Sequence, residues 1–140
     1  MLAHLFALQV SYARIGETLE ECKVRYGEVF AEQELNGIPA FGFMKSDYLI
    51  MVTFHGGYAS SVTIGKTSQE KITANEIDIL LKANGGEKQW IELPDDSWKT
   101  EDGEILANYM DPVLVVTTAD FEKLLDEATK REEAEKLDGF

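Results

Sequence analysis

Cysteine is almost missing from this chain: Cys22 stands alone among 140 residues. A single thiol excludes an intramolecular disulfide, a CxxC redox pair and a thiolate metal cluster. Its place in an amphipathic pattern makes it a small buried hydrophobe. Lys23 and Arg25 adjoin it in sequence but do not face it on a helix. Histidine is nearly as scarce. His4 and His55 cannot build HExxH or a zinc cluster, and no GxxxxGK[ST] or GxGxxG stretch offers a phosphate cradle. Ser60 and Ser61 lack a G-x-S-x-G context. Basic residues are outnumbered 13 to 26, for a formal net charge of -13. That field repels nucleic-acid phosphates and anionic lipid, and it suits solubility or a cationic partner. No stretch approaches the roughly 20 apolar residues of a membrane span. No cofactor or metal is expected.

What is present is enough for a packed domain. The hydrophobic fraction of 44% is ordinary, and a chain of this length typically buries roughly 70% of its unfolded surface. The first thirteen residues, "MLAHLFALQVSYA", carry no acid, Lys or Arg. Ser11 and Ala13 occupy the small-residue positions of an export-signal cleavage site before Arg14. The competing reading makes "HLFALQVSY" a first strand; export is preferred, with residues 14–140 as one domain.

Two stretches share an order of elements. Thr18 and Glu21 form a capping box, Leu19, Cys22 and Tyr26 recur on one helical face, and Gly27 supplies the stop. "EVFAEQEL", "AFGFMKS", "YLIMVTF" and "ASSVTIGKT" then read as strands. Asn36–Gly37, Ser46–Asp47 and Gly56–Gly57 punctuate them. The box recurs at Thr73 and Glu76, ahead of a helix with Ile77, Leu80, Leu81 and Asn84 on one face and Gly85–Gly86 at its end. "KQWIEL", "SWKT", "EILANYM" and "PVLVVTT" form a second meander, with turns at Pro94–Asp95–Asp96 and Glu101–Asp102–Gly103. Pro112 is tolerated only at the start of its strand. These units cover about 17–67 and 73–118, and their similar order suggests internal duplication.

Thr118 caps a third helix, about 118–137, in which Phe121, Leu124, Leu125 and Ala128 fit the period. Beyond them lies a solvated acidic tail, where Glu127–Arg131 and Glu132–Lys136 are spaced to pair. The expected fold class is α+β: an antiparallel sheet built from two helix-plus-β-meander units with both helices on one face, plus a C-terminal acidic helix.

Few residues suggest chemistry. The acidic loop "PDDSWKTEDGE" brings Asp95, Asp96, Glu101, Asp102 and Glu104 together, but not in the order of a calcium loop. His55 sits in a hairpin without an assignable partner for general-base work. Trp90 and Trp98 flank the acidic turn. They fill the core or cover the sheet, unless both are exposed with Tyr109 as an aromatic contact patch. Trp90, Trp98, Tyr109 and His55 are thus the candidate binding residues, and no catalytic or metal residue is assigned.

With "ARIGETLEECKVRYG" at residues 13–27, the chain resembles a family of small exported bacterial proteins that carry an "ARIGET…C…RYG" start just after the signal peptide. Their "VTFHGG"-like hairpin, "NEIDILLKANGG"-like helix, "W…DGE.LA.Y" segment and acidic Lys/Glu tail are also matched here. The resemblance implies export and assigns no activity. In layout alone, the helix-then-meander repeat is similar to β-lactamase-inhibitor proteins and small outer-membrane assembly lipoproteins, which are binding modules. The lipoproteins need an acylated Cys at the mature N-terminus, a position that Cys22 does not occupy. The expected function is therefore an exported, non-catalytic protein-binding or envelope-associated module with a protein partner in the cell envelope. The alternatives are an enzyme using the acidic loop or His55, and a self-associating structural domain.

Overall fold

Thr18 opens the first helix as its capping box predicts: its hydroxyl accepts from Glu21 N–H, and the Glu21 carboxylate accepts from Thr18 N–H at 3.0 Å. In this computed structural model, which describes residues 14–35 and 37–140, that helix is α1 (Leu19–Tyr26). Eight residues are too few for a helix to persist alone in water. Cys22 is buried and Leu19 and Tyr26 are half-buried against the sheet, which supplies the missing stability. The proposed export signal, with His4, lies outside the described residues.

Four strands follow: β1 (Ala31–Leu35), β2 (Ile38–Lys45), β3 (Tyr48–His55) and β4 (Tyr58–Lys66). Their turns reflect local chemistry. Ser46 and Asp47 have φ of 50° and 67°, and Gly56 and Gly57 have 64° and 86°. Two successive positive φ values match the twist of a tight two-residue hairpin. Helix α2 (Ala74–Gly85) repeats the capping box at Thr73 and Glu76. Then come β5 (Trp90–Leu93), β6 (Ser97–Thr100), β7 (Ile105–Met110) and β8 (Val113–Thr118), with Pro112 in the turn just before β8. Helix α3 (Ala119–Lys136) ends the order. Among the described residues there are thus three helices and one eight-stranded antiparallel sheet, an α+β fold.

The strand order is β1-β2-β3-β4-β8-β7-β6-β5, so the two meanders meet through their last strands. Register across that seam makes one face continuous. Phe43, Ile50, Ile64, Leu114 and Tyr109 form one lateral row, and Phe41, Val52, Val62, Val116, Ala107 and Trp98 form the next. Helices α1 and α2 cover this inner face. Cys22 joins the cluster around Phe43 and Val52, Ile77 and Leu81 join that around Leu114 and Val116, and Leu80 packs against both. Fully burying a side chain such as Phe43 or Leu114 contributes roughly 1.5–3 kcal/mol.

Polar contacts also tie the halves together. The Glu76 carboxylate caps α2, accepts from the Tyr48 hydroxyl and pairs with Lys66 Nζ at 2.9 Å. The chain ahead of α1 is pinned as well: Gly16 N–H donates to Ala59 O and Ala59 N–H to Glu17 O. This brings Glu17 inside, where its carboxylate meets Arg25 Nε at 2.7 Å.

Candidate functional site

Of the four residues expected to mark a site, Trp90, Trp98 and Tyr109 pack against one cluster, and His55 stands apart from them. Trp90 is seated on the last turn of α2. Its indole N–H donates to Leu81 O at 2.7 Å, and Gly85 leaves the space for the ring. Tyr109 reaches under the segment before α2, where its hydroxyl accepts from Ile72 N–H at 3.2 Å and donates to Asp111 Oδ1 at 3.3 Å. Trp98 packs on the same cluster. All three are half-buried on the inner face, as packing residues should be, rather than together as an exposed patch. His55 is exposed at the end of β3, and its ring lies 6.1 Å from that of Phe121.

The acidic loop is likewise divided. Asp95 and Asp96 form the β5–β6 turn, both at positive φ. Asp102 belongs to the β6–β7 turn, where it accepts from the Thr100 hydroxyl at 2.7 Å and from Glu104 N–H at 3.0 Å. Lys88 lies 2.8 Å from Asp102 and also pairs with Glu104, so the chain supplies the cation itself. The Lys88 ammonium, with these hydrogen bonds, holds the Asp102 carboxyl down at about 2. Among the described residues, no group of three or more His, Cys, Asp or Glu side chains could hold a metal ion. The buried Cys22 thiol is pushed up to about 12, first by desolvation and then by the nearby Glu17 charge, so it stays protonated at neutral pH.

A hollow of about 710 Å³ lies where α2 ends, among Asn84, Gly86, Lys88 and Gly103. Its polar groups are largely engaged: Lys88 as above, and Asn84 Nδ2 with Leu80 O at 2.9 Å. Asn84 Oδ1 is buried without a hydrogen bond.

A different surface stands out on the sheet's other face. Side chains alternate across a strand, so the residues between the inner-face positions form their own rows. The first is Met44, Leu49, Gly65, Val113 and Met110, crossing five strands. The second is Gly42, Met51, Thr63, Val115, Asn108 and Ser97. Neither contains a charged side chain. Met44 is 54% exposed, Met110 53% and Leu49 39%. Phe30, just before β1, lies over Gly42; a Cβ there would come within 3.1 Å of its ring. Between them opens a hollow of about 470 Å³ lined by Phe30, Leu49, Met51, Gly65 and Val113.

The third row, Ala40, Thr53, Ser61, Thr117, Leu106 and Lys99, is where α3 lies. The hydroxyls of Ser61 and Thr117 are 3.1 Å apart, and Leu106 shares a depression with Ala119, Glu122, Leu125 and Asp126. Phe121 is buried at the start of the helix. Side chains beyond Ala128 are exposed, in keeping with the expected acidic tail, although the pair formed is Asp126–Lys130 at 3.0 Å. One helix thus covers one row, and two uncharged rows stay open.

Neither a protein-family model nor a curated protein matches the chain. A solved structure, described as a cysteine-rich secretory protein from Staphylococcus aureus subsp. aureus Mu50, is similar over 77% of this chain, with 12% identity and a TM-score of 0.47. The match covers 46% of that chain, so this chain spans about half its length. A superposition that loose does not bear on function.

The open rows escaped the sequence reading because "YLIMVTF" is apolar at every position but Thr53, so alternation is hidden. A signal was nonetheless there. Met44, Met51 and Met110, three of the chain's four methionines, all fall on this face once register is known. Methionine is flexible and polarisable, which suits a surface that adapts to what it touches. No helix among the described residues is long and apolar enough to cross a membrane.

Proposed function

We propose that the protein is an exported, non-catalytic protein-binding module acting in the cell envelope, with the open sheet face as its contact surface. The observation that carries this reading is the uncharged row Met44–Leu49–Gly65–Val113–Met110, which crosses five strands with no helix over it. Contiguous exposed apolar surface on a water-exposed protein ordinarily marks a contact. Export is supported by the apolar start, by the small residues Ser11 and Ala13, and by the resemblance carried by residues 13–27. The acidic balance favours a protein partner over nucleic acid.

The test places a photo-cross-linking residue at Leu49 or Met110 in the native host, with the exposed Ile79 on the outer side of α2 as a control. Adducts are expected from the open face and not from Ile79. Equal labelling at all three positions, or none at the first two, removes the reading. The N-terminal residue of the protein isolated from envelope fractions tests export, and Arg14 is expected there.

A further inference from the structure

We propose that the open sheet face is a reversible oxidation site: a peroxide converts Met44 and Met110 to sulfoxides, and the face loses its apolar character while the fold stays intact. The consequence for contact deepens the binding-module reading and rests on it. The modification itself does not.

The sulfur atoms of the described residues are sorted by exposure. They belong to Cys22, Met44, Met51 and Met110. Cys22 is buried against the sheet and its thiol stays protonated, so it lacks the thiolate that a peroxide attacks. Met51 is half-buried in the wall of the Phe30 hollow. Met44 and Met110 are each more than half exposed.

Register explains why those two stand open. Strand β1 pairs with β2 only as far as Gly42, and β6 pairs with β7 only as far as Asn108. Met44 and Met110 lie beyond those limits, at opposite ends of the same row. Each has a paired strand on one side only. A small oxidant therefore meets both thioethers without any opening of the fold.

The chemistry balances with hydrogen peroxide alone. A lone pair of the methionine Sδ attacks one peroxide oxygen, and the S–O bond forms as the O–O bond breaks. The departing hydroxide takes the proton of the transferred oxygen and leaves as water. Sulfur is oxidised by two electrons, and the peroxide is reduced. A flexible apolar side chain becomes a polar, chiral one, and sulfoxide reductases, one for each epimer, reverse the change. The row carries four side chains, Met44, Leu49, Val113 and Met110, so half of them change, one at each end. Whatever covers the row must then desolvate two sulfoxide oxygens.

The full chain is treated with dilute hydrogen peroxide and its peptides are mapped by mass spectrometry. Met44 and Met110 are expected to gain one oxygen each, ahead of Met51 and with Cys22 unmodified. The thermal midpoint should move by no more than about 2 °C, as for changes at exposed positions. The oxidised protein should leave a hydrophobic-interaction column earlier, and both reductases together should restore its retention. Met44→Leu combined with Met110→Leu keeps the face apolar without the sulfur, and peroxide should then leave retention unchanged. Protein carrying the cross-linker at Leu49, oxidised and returned to envelope fractions, should give about tenfold fewer adducts than untreated protein. The leucine variant should lose none.

Oxidation of Met51 or Cys22 first, or a melt that collapses with the first oxygen, overturns the site. Equal loss of retention in the leucine variant puts the reacting group elsewhere and overturns it too. Adducts that survive oxidation of both methionines overturn the effect on contact. Absence of Leu49 adducts from untreated protein removes the binding-module reading instead, and peptide mapping with column retention still decides the modification.

Discussion

Gly85→Ala should destabilise the protein although it replaces glycine by alanine at a helical position. In isolation the change favours the helix by up to about 1 kcal/mol, and by less at the last residue of α2. Here a Cβ would sit 2.4 Å from Trp90 Nε1, 3.0 Å from Cε2 and 3.3 Å from Cζ2. The indole is rigid, so it must leave its seat. That breaks its 2.7 Å hydrogen bond to Leu81 O, a loss of about 1 kcal/mol, and re-exposes part of a large ring, a further 1–3 kcal/mol or so. The net expectation is a loss of about 2 kcal/mol, or roughly 6–10 °C in Tm. Urea denaturation measures it, and Trp90 emission should shift to the red. In a Trp90→Leu background the obstacle is gone, and Gly85→Ala should be neutral or slightly stabilising, a coupling that a double-mutant cycle isolates. Equal effects in the two backgrounds, or a more stable single variant, would refute the packing argument.

Three further outcomes follow from the buried and paired groups. Glu76 is held down at about 2, chiefly by the Tyr48 hydroxyl, and Asp102 at about 2, chiefly by Lys88. Folded values below the ordinary 4.5 and 3.8 mean stability that is intact above that range and lost as pH falls toward 2. The urea midpoint should drop between pH 5 and pH 2.5, and Glu76→Gln should flatten the drop. Glu17 behaves oppositely: burial raises its carboxyl despite Arg25 at 2.7 Å. Arg25→Met should cost about 3 kcal/mol at pH 7 and less as the pH is lowered, because a buried carboxyl without its partner can take up a proton; a cost that does not change with pH would count against a buried charge. Cys22 should resist a thiol-reactive disulfide reagent in the folded protein and react at the rate of unfolding; immediate labelling would contradict its burial.

What was legible in the sequence was local. Capping boxes, glycine stops and two-residue turns depend on neighbours within four positions, and Thr18, Thr73, Gly56 and Asp47 do what their chemistry predicts. The helical faces were also legible, because a period of 3.6 needs no knowledge of the partner: Cys22, Ile77, Leu81 and Phe121 are all buried. Lateral arrangement was not. That β4 pairs with β8, that Trp90 sits on Gly85, and that α3 crosses the face opposite α1 and α2 depend on contacts remote in sequence. Propensity is silent about these. The same gap explains α3, where Asp126 and Lys130 pair at the spacing expected of Glu127 with Arg131. Phe30 is the smallest case. It reads as part of a strand, yet it stands just ahead of β1, with its N–H donating to Gly42 O at 2.9 Å and its ring lying over Gly42.

The seam where Ser61–Gly65 runs against Val113–Thr117 has a consequence for how the chain can be divided. A cut between Gln69 and Ile72 leaves two fragments, one with α1 and the other with α2 and α3, and each with a complete four-strand meander. Each ends in a sticky border that recognises the other through five residue pairs, Leu80 and the Glu76 cluster. Fragments 14–69 and 72–140 should therefore recombine when mixed, which makes this connection a natural place to split the protein as a reporter of proximity.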